Sequence, residues 1–145
     1  MCRMVPRIVV DTNILVGALL SASAGDNREV LRRCLTRQAQ PLIGVALFHE
    51  YEDLFGRPEP LGKSPLTRLE RRDLFEAFLS VCEWFRVYYL WRPNLPDEAD
   101  NHLIELAIAG GAHAIVTHNV RDVGMGELNF PGLKILSPKQ FLTTT

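Results

Sequence analysis

Four acidic positions have the type and spacing to do chemistry: Asp11, Glu50, Asp100 and Asp122, with Asn119 shortly before the last. Each adjoins an apolar run able to fix it in place. Carboxylates gathered at one end of a fold repel each other, and a bound cation is the simplest relief of that repulsion. Ligation by oxygen alone, without cysteine, suits Mg²⁺ or Mn²⁺ and not Zn²⁺. Taken singly, each residue also has a plainer reading. Asp11 and Asp100 can be helix caps, Glu50 a solvated helix residue and Asp122 a turn former. The joint pattern strains those readings, because all four map to strand carboxyl ends or to adjacent helix starts.

The elements that must position them follow from the apolar periodicity. Arg7-Ile8-Val9-Val10 is short, β-rich and apolar on both faces, as a central parallel strand is. It runs into Asp11-Thr12-Asn13, poor strand residues and good helix openers, and a helix is expected over Asn13–Leu20. Asp26 is read as the cap of a second helix, Asn27–Arg37, and Pro41–Val45 as strand two, leading into a helix over Ala46–Phe55. Prolines and glycines between Gly56 and Pro65 indicate an exposed loop. Thr67 caps a long helix, Arg68–Phe85, with Leu69, Leu74, Phe78, Val81 and Phe85 inward, and Arg86–Leu90 is strand three. Asp97–Asn101 opens the next helix, which Gly110-Gly111 ends. Ala114–Thr117 is a buried strand stopping at His118-Asn119, Lys134–Leu136 is the last strand, and Ser137-Pro138 starts a terminal turn of helix. This order predicts one α/β domain over residues 1–145, a central parallel sheet of four to five strands with helices on both faces. The ends of the first strand and of Ala114–Thr117 then share one edge of the sheet.

Composition narrows the class. The chain has 145 residues, 47% of them apolar and 23% charged, with a formal net charge of −1. That excludes a global basic field, so a nucleic-acid partner needs a local patch. Cys2, Cys34 and Cys82 are odd in number and widely spaced, which argues for reduced thiols in a cytoplasmic protein and against a disulfide framework or zinc knuckle. No signal peptide or membrane-length apolar run is visible, so no membrane partner is expected.

At this point the sequence resembles the PIN-domain family of nucleases, and most of all its bacterial and archaeal branch of toxin components of toxin–antitoxin pairs. The residues that carry the resemblance are Val9-Val10-Asp11-Thr12-Asn13-Ile14-Leu15-Val16, His49-Glu50-Tyr51 with Arg57-Pro58, Asp97 through Ala107, and Ile115-Val116-Thr117-His118-Asn119-Val120-Arg121-Asp122. It runs from about Arg7 to Leu142, and the ordered set is far more specific than Asp-Thr-Asn alone. It implies a three-layer PIN-like fold and an acidic triad of Asp11, Glu50 and Asp100 holding Mg²⁺ or Mn²⁺, with Asp122 as a fourth acid. Asp100 is preferred to Asp97 because it stands seven residues before Ala107, as the family's third acid does. Thr12, Asn13, Thr117 and Asn119 would support the ligands from behind by bonding carboxylates or water. Asn119 departs from the commonest pattern, where Asp is frequent, and Asp122 follows it by three residues and not two.

The activity implied is endoribonuclease cleavage of RNA by activated water, leaving a 5′-phosphate and a 3′-hydroxyl. The implied partners are an RNA substrate, an antitoxin protein and a second copy of the chain. Arg57, Lys63, Arg68, Arg71 and Arg72 offer a local patch for RNA phosphates, or else a solvated basic face. The four histidines, His49, His102, His113 and His118, show no His-x-x-x-His spacing and read as surface or supporting residues. Two readings compete. One is a non-catalytic RNA- or protein-binding PIN-like domain with a degenerate metal site, which Asn119 favours. The other is an aspartyl-nucleophile phosphatase, which expects Asp-x-Asp where this chain has Asp11-Thr12-Asn13.

Overall fold

β1 (Arg7–Val10) is the axis of the structure, a computed structural model that describes residues 5–21, 25–57, 61–86, 101–120 and 132–144. Ile8, Val9 and Val10 are buried to 1% exposure or less, because the strand has neighbours on both edges and helices on both faces. α1 (Thr12–Leu20) and α2 (Asp26–Leu35) follow, then β2 (Gln40–Ile43), α3 (Val45–Gly56), a short 3₁₀ turn (Leu61–Lys63) and α4 (Arg68–Val81). The remaining described elements are β3 (Glu83–Trp84), α5 (Asn101–Gly110), β4 (Ala114–Val116), β5 (Lys134–Leu136) and α6 (Pro138–Thr144). Among the described residues the sheet has five strands, all parallel, in the order β3-β2-β1-β4-β5.

That order places the topological switch point between β1 and β4. The chain leaves β1 toward β2 and β3, then returns to the other side of β1 to lay down β4 and β5. Helices leaving neighbouring strands at a switch point diverge, and a crevice opens at the carboxyl ends. The register pairs Val10 with Val116, so Asp11 and Thr117, the residues that follow, face the same crevice mouth.

Several sequence expectations need correction. The long helix ends at Val81 and not at Phe85, and strand three is Glu83–Trp84; Arg86 lies outside it and 87–90 lie outside the described residues. Pairing won over helical periodicity: Cys82 turns extended, Glu83 and Trp84 align with Leu42 and Ile43, and Phe85 N–H donates to the Ile43 carbonyl. The Gln40 amide donates to the Val81 carbonyl and satisfies the end of the helix. Leu69 is 65% exposed and not inward, while Phe78 is buried as expected. The N-cap of α2 is Gly25, and Asp26 is its first helical residue, placed to favour the positive end of the helix dipole. The Gly56–Pro65 loop is anchored where described: Leu61 is fully buried and Ser64 Oγ donates to the Leu19 carbonyl.

The capping of α4 follows the sequence closely. Thr67 accepts from Glu70 N–H and Glu70 accepts from Thr67 N–H, a complete capping box. At the far end of α5, Gly111 takes φ +64°, the left-handed conformation that ends a helix without a Cβ penalty. Arg7 reaches back to donate twice to the Gly110 carbonyl and pairs with Glu83 at 2.8 Å, tying α5, β1 and β3 together at the end of the sheet away from Asp11. Among the described residues no helix is long and apolar enough to cross a membrane.

Candidate active site

Asp11 directly follows β1 and occupies the N-cap position of α1, yet its side chain caps nothing. Only its backbone serves the helix, through the Ile14 N–H to Asp11 carbonyl bond. The carboxylate, 6% exposed, collects donors from elsewhere. Thr117 Oγ1 donates to Oδ2 at 2.7 Å, Asn13 Nδ2 donates to Oδ2 at 3.3 Å and Thr12 Oγ1 donates to Oδ1 at 3.3 Å. A buried carboxylate needs such donors, since desolvation penalises its charge. The helix-cap reading of Asp11 therefore fails on geometry: the side chain is aimed at the β4 end.

Thr117 is fully buried and its hydroxyl also accepts from Asn119 N–H at 3.0 Å. His118 N–H donates to Asn13 Oδ1 at 3.3 Å, and the His118 ring bonds Asn27 Oδ1 at 2.8 Å. Asn27 in turn packs where a Cβ on Gly17 would stand, 2.0 Å from the amide nitrogen, so any larger residue at Gly17 would push the Asn27 side chain from this place. The loop after β4 is thus fastened to both α1 and α2.

Glu50 comes from α3. The next residue, Tyr51, is fully buried, and its hydroxyl donates to the carbonyl of Val10, the residue before Asp11. One hydrogen bond therefore joins α3 beside Glu50 to β1 beside Asp11. The Tyr51 phenol is pushed well above its ordinary range by burial first, then by Cys82, Asp11, Cys34 and Glu50, so both acids act on the same phenol. It stays neutral and remains a donor. Glu50, at 41% exposure, pairs with His102 of α5, Nε2 to Oε2 at 2.7 Å. Glu105, one turn further along α5, is 6% exposed.

Asp100 and Asp122 lie outside the described residues, as does Asp97; the described part of α5 begins at Asn101, directly after Asp100 in sequence. Among the described residues no group of three or more His, Cys, Asp or Glu is gathered closely enough to hold a metal ion. The donor chemistry still fits a hard divalent cation. Asp11 offers carboxylate oxygens set among two hydroxyls and an amide, and Glu50 offers a carboxylate beside the His102 ring. Among the described residues the thiols are poorer candidates, since burial pushes Cys34 up to about 12 and raises Cys82 as well.

The basic residues divide. Arg57 is exposed and ion-paired with Asp53, and Arg72 pairs with Glu76 at 3.3 Å. Arg71 donates to the Leu66 carbonyl at 2.7 Å, and Lys63 sits exposed on the 3₁₀ turn. Arg68, Arg71 and Arg72 line one groove with Phe55, Leu69 and Phe75.

Two residues gain a definite role only here. Tyr51 follows Leu47 by four residues on the inward face of α3, the signal that would have marked it as buried. His102, read from sequence only as one of four surface or supporting histidines, pairs with Glu50.

A PIN-domain family model matches residues 7–121 of the 145. Among curated proteins nothing matches the chain. Among solved structures, the chain is similar to a chain in the crystal structure of VapBC2 from Rickettsia felis bound to a DNA fragment from their promoter. The TM-score is 0.56 at 17% identity, over 90% of this chain and 98% of that one, a likeness of fold. With the family match spanning most of its length, this chain belongs to the PIN-domain family.

Proposed function

We propose that the chain is a metal-dependent endoribonuclease, working in the cytoplasm as the toxin component of a toxin–antitoxin pair. The observation that carries the catalytic reading is the Asp11 carboxylate. It is buried at the switch point of the sheet, aimed away from the helix it could cap and held by Thr12, Asn13 and Thr117. Family membership and the likeness to VapBC2 support the nuclease and toxin readings.

Asp11, Glu50, Asp100 and Asp122 are the residues we assign to hold Mg²⁺ or Mn²⁺. When bound, such an ion lowers the pKa of water and offsets charge on the reacting phosphate. The chain's own residues do the rest. Thr117, Asn13 and Thr12 fix the orientation of Asp11, so its remaining lone pairs need no rearrangement on binding. Tyr51 holds α3 against β1 and keeps Glu50 in register with Asp11. A carboxylate of the set takes the proton of the attacking water as general base. Water oxygen joins phosphorus, the bond to the 3′ oxygen breaks, and that oxygen takes a proton from solvent to leave as a hydroxyl. Asn119 orients water through its amide. Arg57, Lys63, Arg68, Arg71 and Arg72 supply the phosphate contacts.

The test is cleavage of a mixed RNA pool by purified protein with Mg²⁺ or Mn²⁺, with end-group analysis and Asp11→Asn as control. Metal-dependent products bearing 5′-phosphates, lost in the variant, support the reading. RNA binding without cleavage would identify a non-catalytic PIN-like domain instead.

A further inference from the structure

His102 is the second described residue of α5, and its side chain is 15% exposed. Its Nε2 lies 2.7 Å from Glu50 Oε2. A carboxylate oxygen can only accept, so this contact requires the proton on Nε2. Nδ1, the other ring nitrogen, is buried and has no hydrogen-bond partner among the described residues. A buried nitrogen left without a partner costs stability, and an apolar side chain of similar size would avoid that cost. Among the described residues, the polar ring of His102 thus bonds Glu50, and packing alone does not account for it.

Glu50 needs such a bond. It projects from a helix on a flexible side chain and is 41% exposed. Asp11 is held by hydroxyl and amide donors on both its oxygens, whereas among the described residues the hold on Glu50 comes from His102. With Oε2 engaged, rotation of the carboxylate is restricted and Oε1 is left for a ligand. We infer that His102 is the positioning residue of Glu50, holding its carboxylate through Nε2–H and thereby setting the affinity of the site for Mg²⁺ or Mn²⁺. The inference rests on Glu50 being a ligand, as proposed above. Partners that orient a ligand from behind commonly govern metal affinity as strongly as tenfold to a hundredfold.

The experiment is Mn²⁺ binding, read from the electron paramagnetic resonance of the free ion, on the full chain without RNA. Wild type is compared with His102→Leu, His102→Gln and His102→Asn, each also melted without metal. The glutamine amide nitrogen stands close to the place of the imidazole Nε2, whereas that of asparagine falls short. Affinity should drop about 10- to 100-fold in the leucine variant, recover largely in the glutamine variant and stay low in the asparagine variant. The metal-free melting temperature of His102→Leu should equal or exceed that of wild type, since the unpaired nitrogen is gone. Unchanged Mn²⁺ affinity in His102→Leu overturns the positioning role, as does a lowered metal-free melting temperature with glutamine no better than asparagine. A wild type that binds no Mn²⁺ overturns the metal-site reading, and this inference with it.

Discussion

Thr117→Val removes one hydroxyl and keeps the shape, so it isolates the bond that holds Asp11. Thr117 is fully buried and its Oγ1 stands 2.7 Å from Oδ2 of a carboxylate that is 6% exposed. Hydrogen bonds to charged groups contribute about 1.5–3 kcal/mol, and no cavity forms because valine fills the same volume. The Asn119 N–H also loses its acceptor, but that residue is exposed and water can replace the bond. With an unfolding entropy of about 2.1 cal/mol/K per residue, a chain of 145 residues should lose about 5–10 °C in Tm. Thr117→Ser keeps the hydroxyl and should lose only the methyl contribution, about 1 kcal/mol. The decisive arm is the same substitution in an Asp11→Asn background. There the acceptor is neutral, and the cost of Thr117→Val should fall to about 0.5–1.5 kcal/mol. Urea denaturation of wild type and these variants, followed by circular dichroism in metal-free buffer, measures all of this. Equal costs in the two backgrounds would refute the claim that Thr117 serves the Asp11 charge.

Tyr51→Phe leaves the Val10 carbonyl without its buried donor and should cost about 1–3 kcal/mol by urea midpoint; a neutral result would deny that this bond ties α3 to β1. Glu29 is held down to about 2, first by its hydrogen bond from Arg32, with Arg33 adding to it. A depressed acid stabilises above its unfolded pKa and loses that contribution as pH falls from about 4.5 toward 2. The stability gap between wild type and Glu29→Gln should therefore shrink between about pH 6 and pH 3, and a constant gap would contradict the assignment. Changing Arg68, Arg71 and Arg72 together to Ala should flatten the salt dependence of RNA binding, by about 0.7 in slope for each phosphate no longer neutralised; an unchanged slope returns them to a solvated face.

The parts of the fold legible in the sequence were those where local chemistry and tertiary packing agree. β1 and β5 match their expected bounds: Ile8, Val9 and Val10 form a β-branched run, and Ile135-Leu136 is closed off by Ser137-Pro138, so neither has a competing helical pattern. The Thr67–Glu70 capping box is a purely local device and was readable for that reason. The α4–β3 junction was not. Leu74, Phe78, Val81 and Phe85 keep helical spacing, and only the open edge of β2 pulls Glu83 and Trp84 out of the helix. Leu69 has the spacing of an inward residue, but it sits in the first turn of α4, beside the groove of Arg68, Arg71 and Arg72. At the candidate site, Thr12 and Asn13 are neighbours of Asp11 in the chain. The bond from Thr117, by contrast, depends on the parallel register of β1 with β4, across more than a hundred residues. The Glu50–His102 pair depends on how α3 packs against α5, which no spacing encodes.

Mn²⁺ titration calorimetry on wild type, Asp11→Asn, Glu50→Gln and the double variant tests most directly whether Asp11 and Glu50 serve one cation. If they share it, either single change should remove most of the affinity, and the double variant should lose little more, a sub-additive result. Binding that survives both single changes, or losses that add as if from two separate sites, would contradict the account.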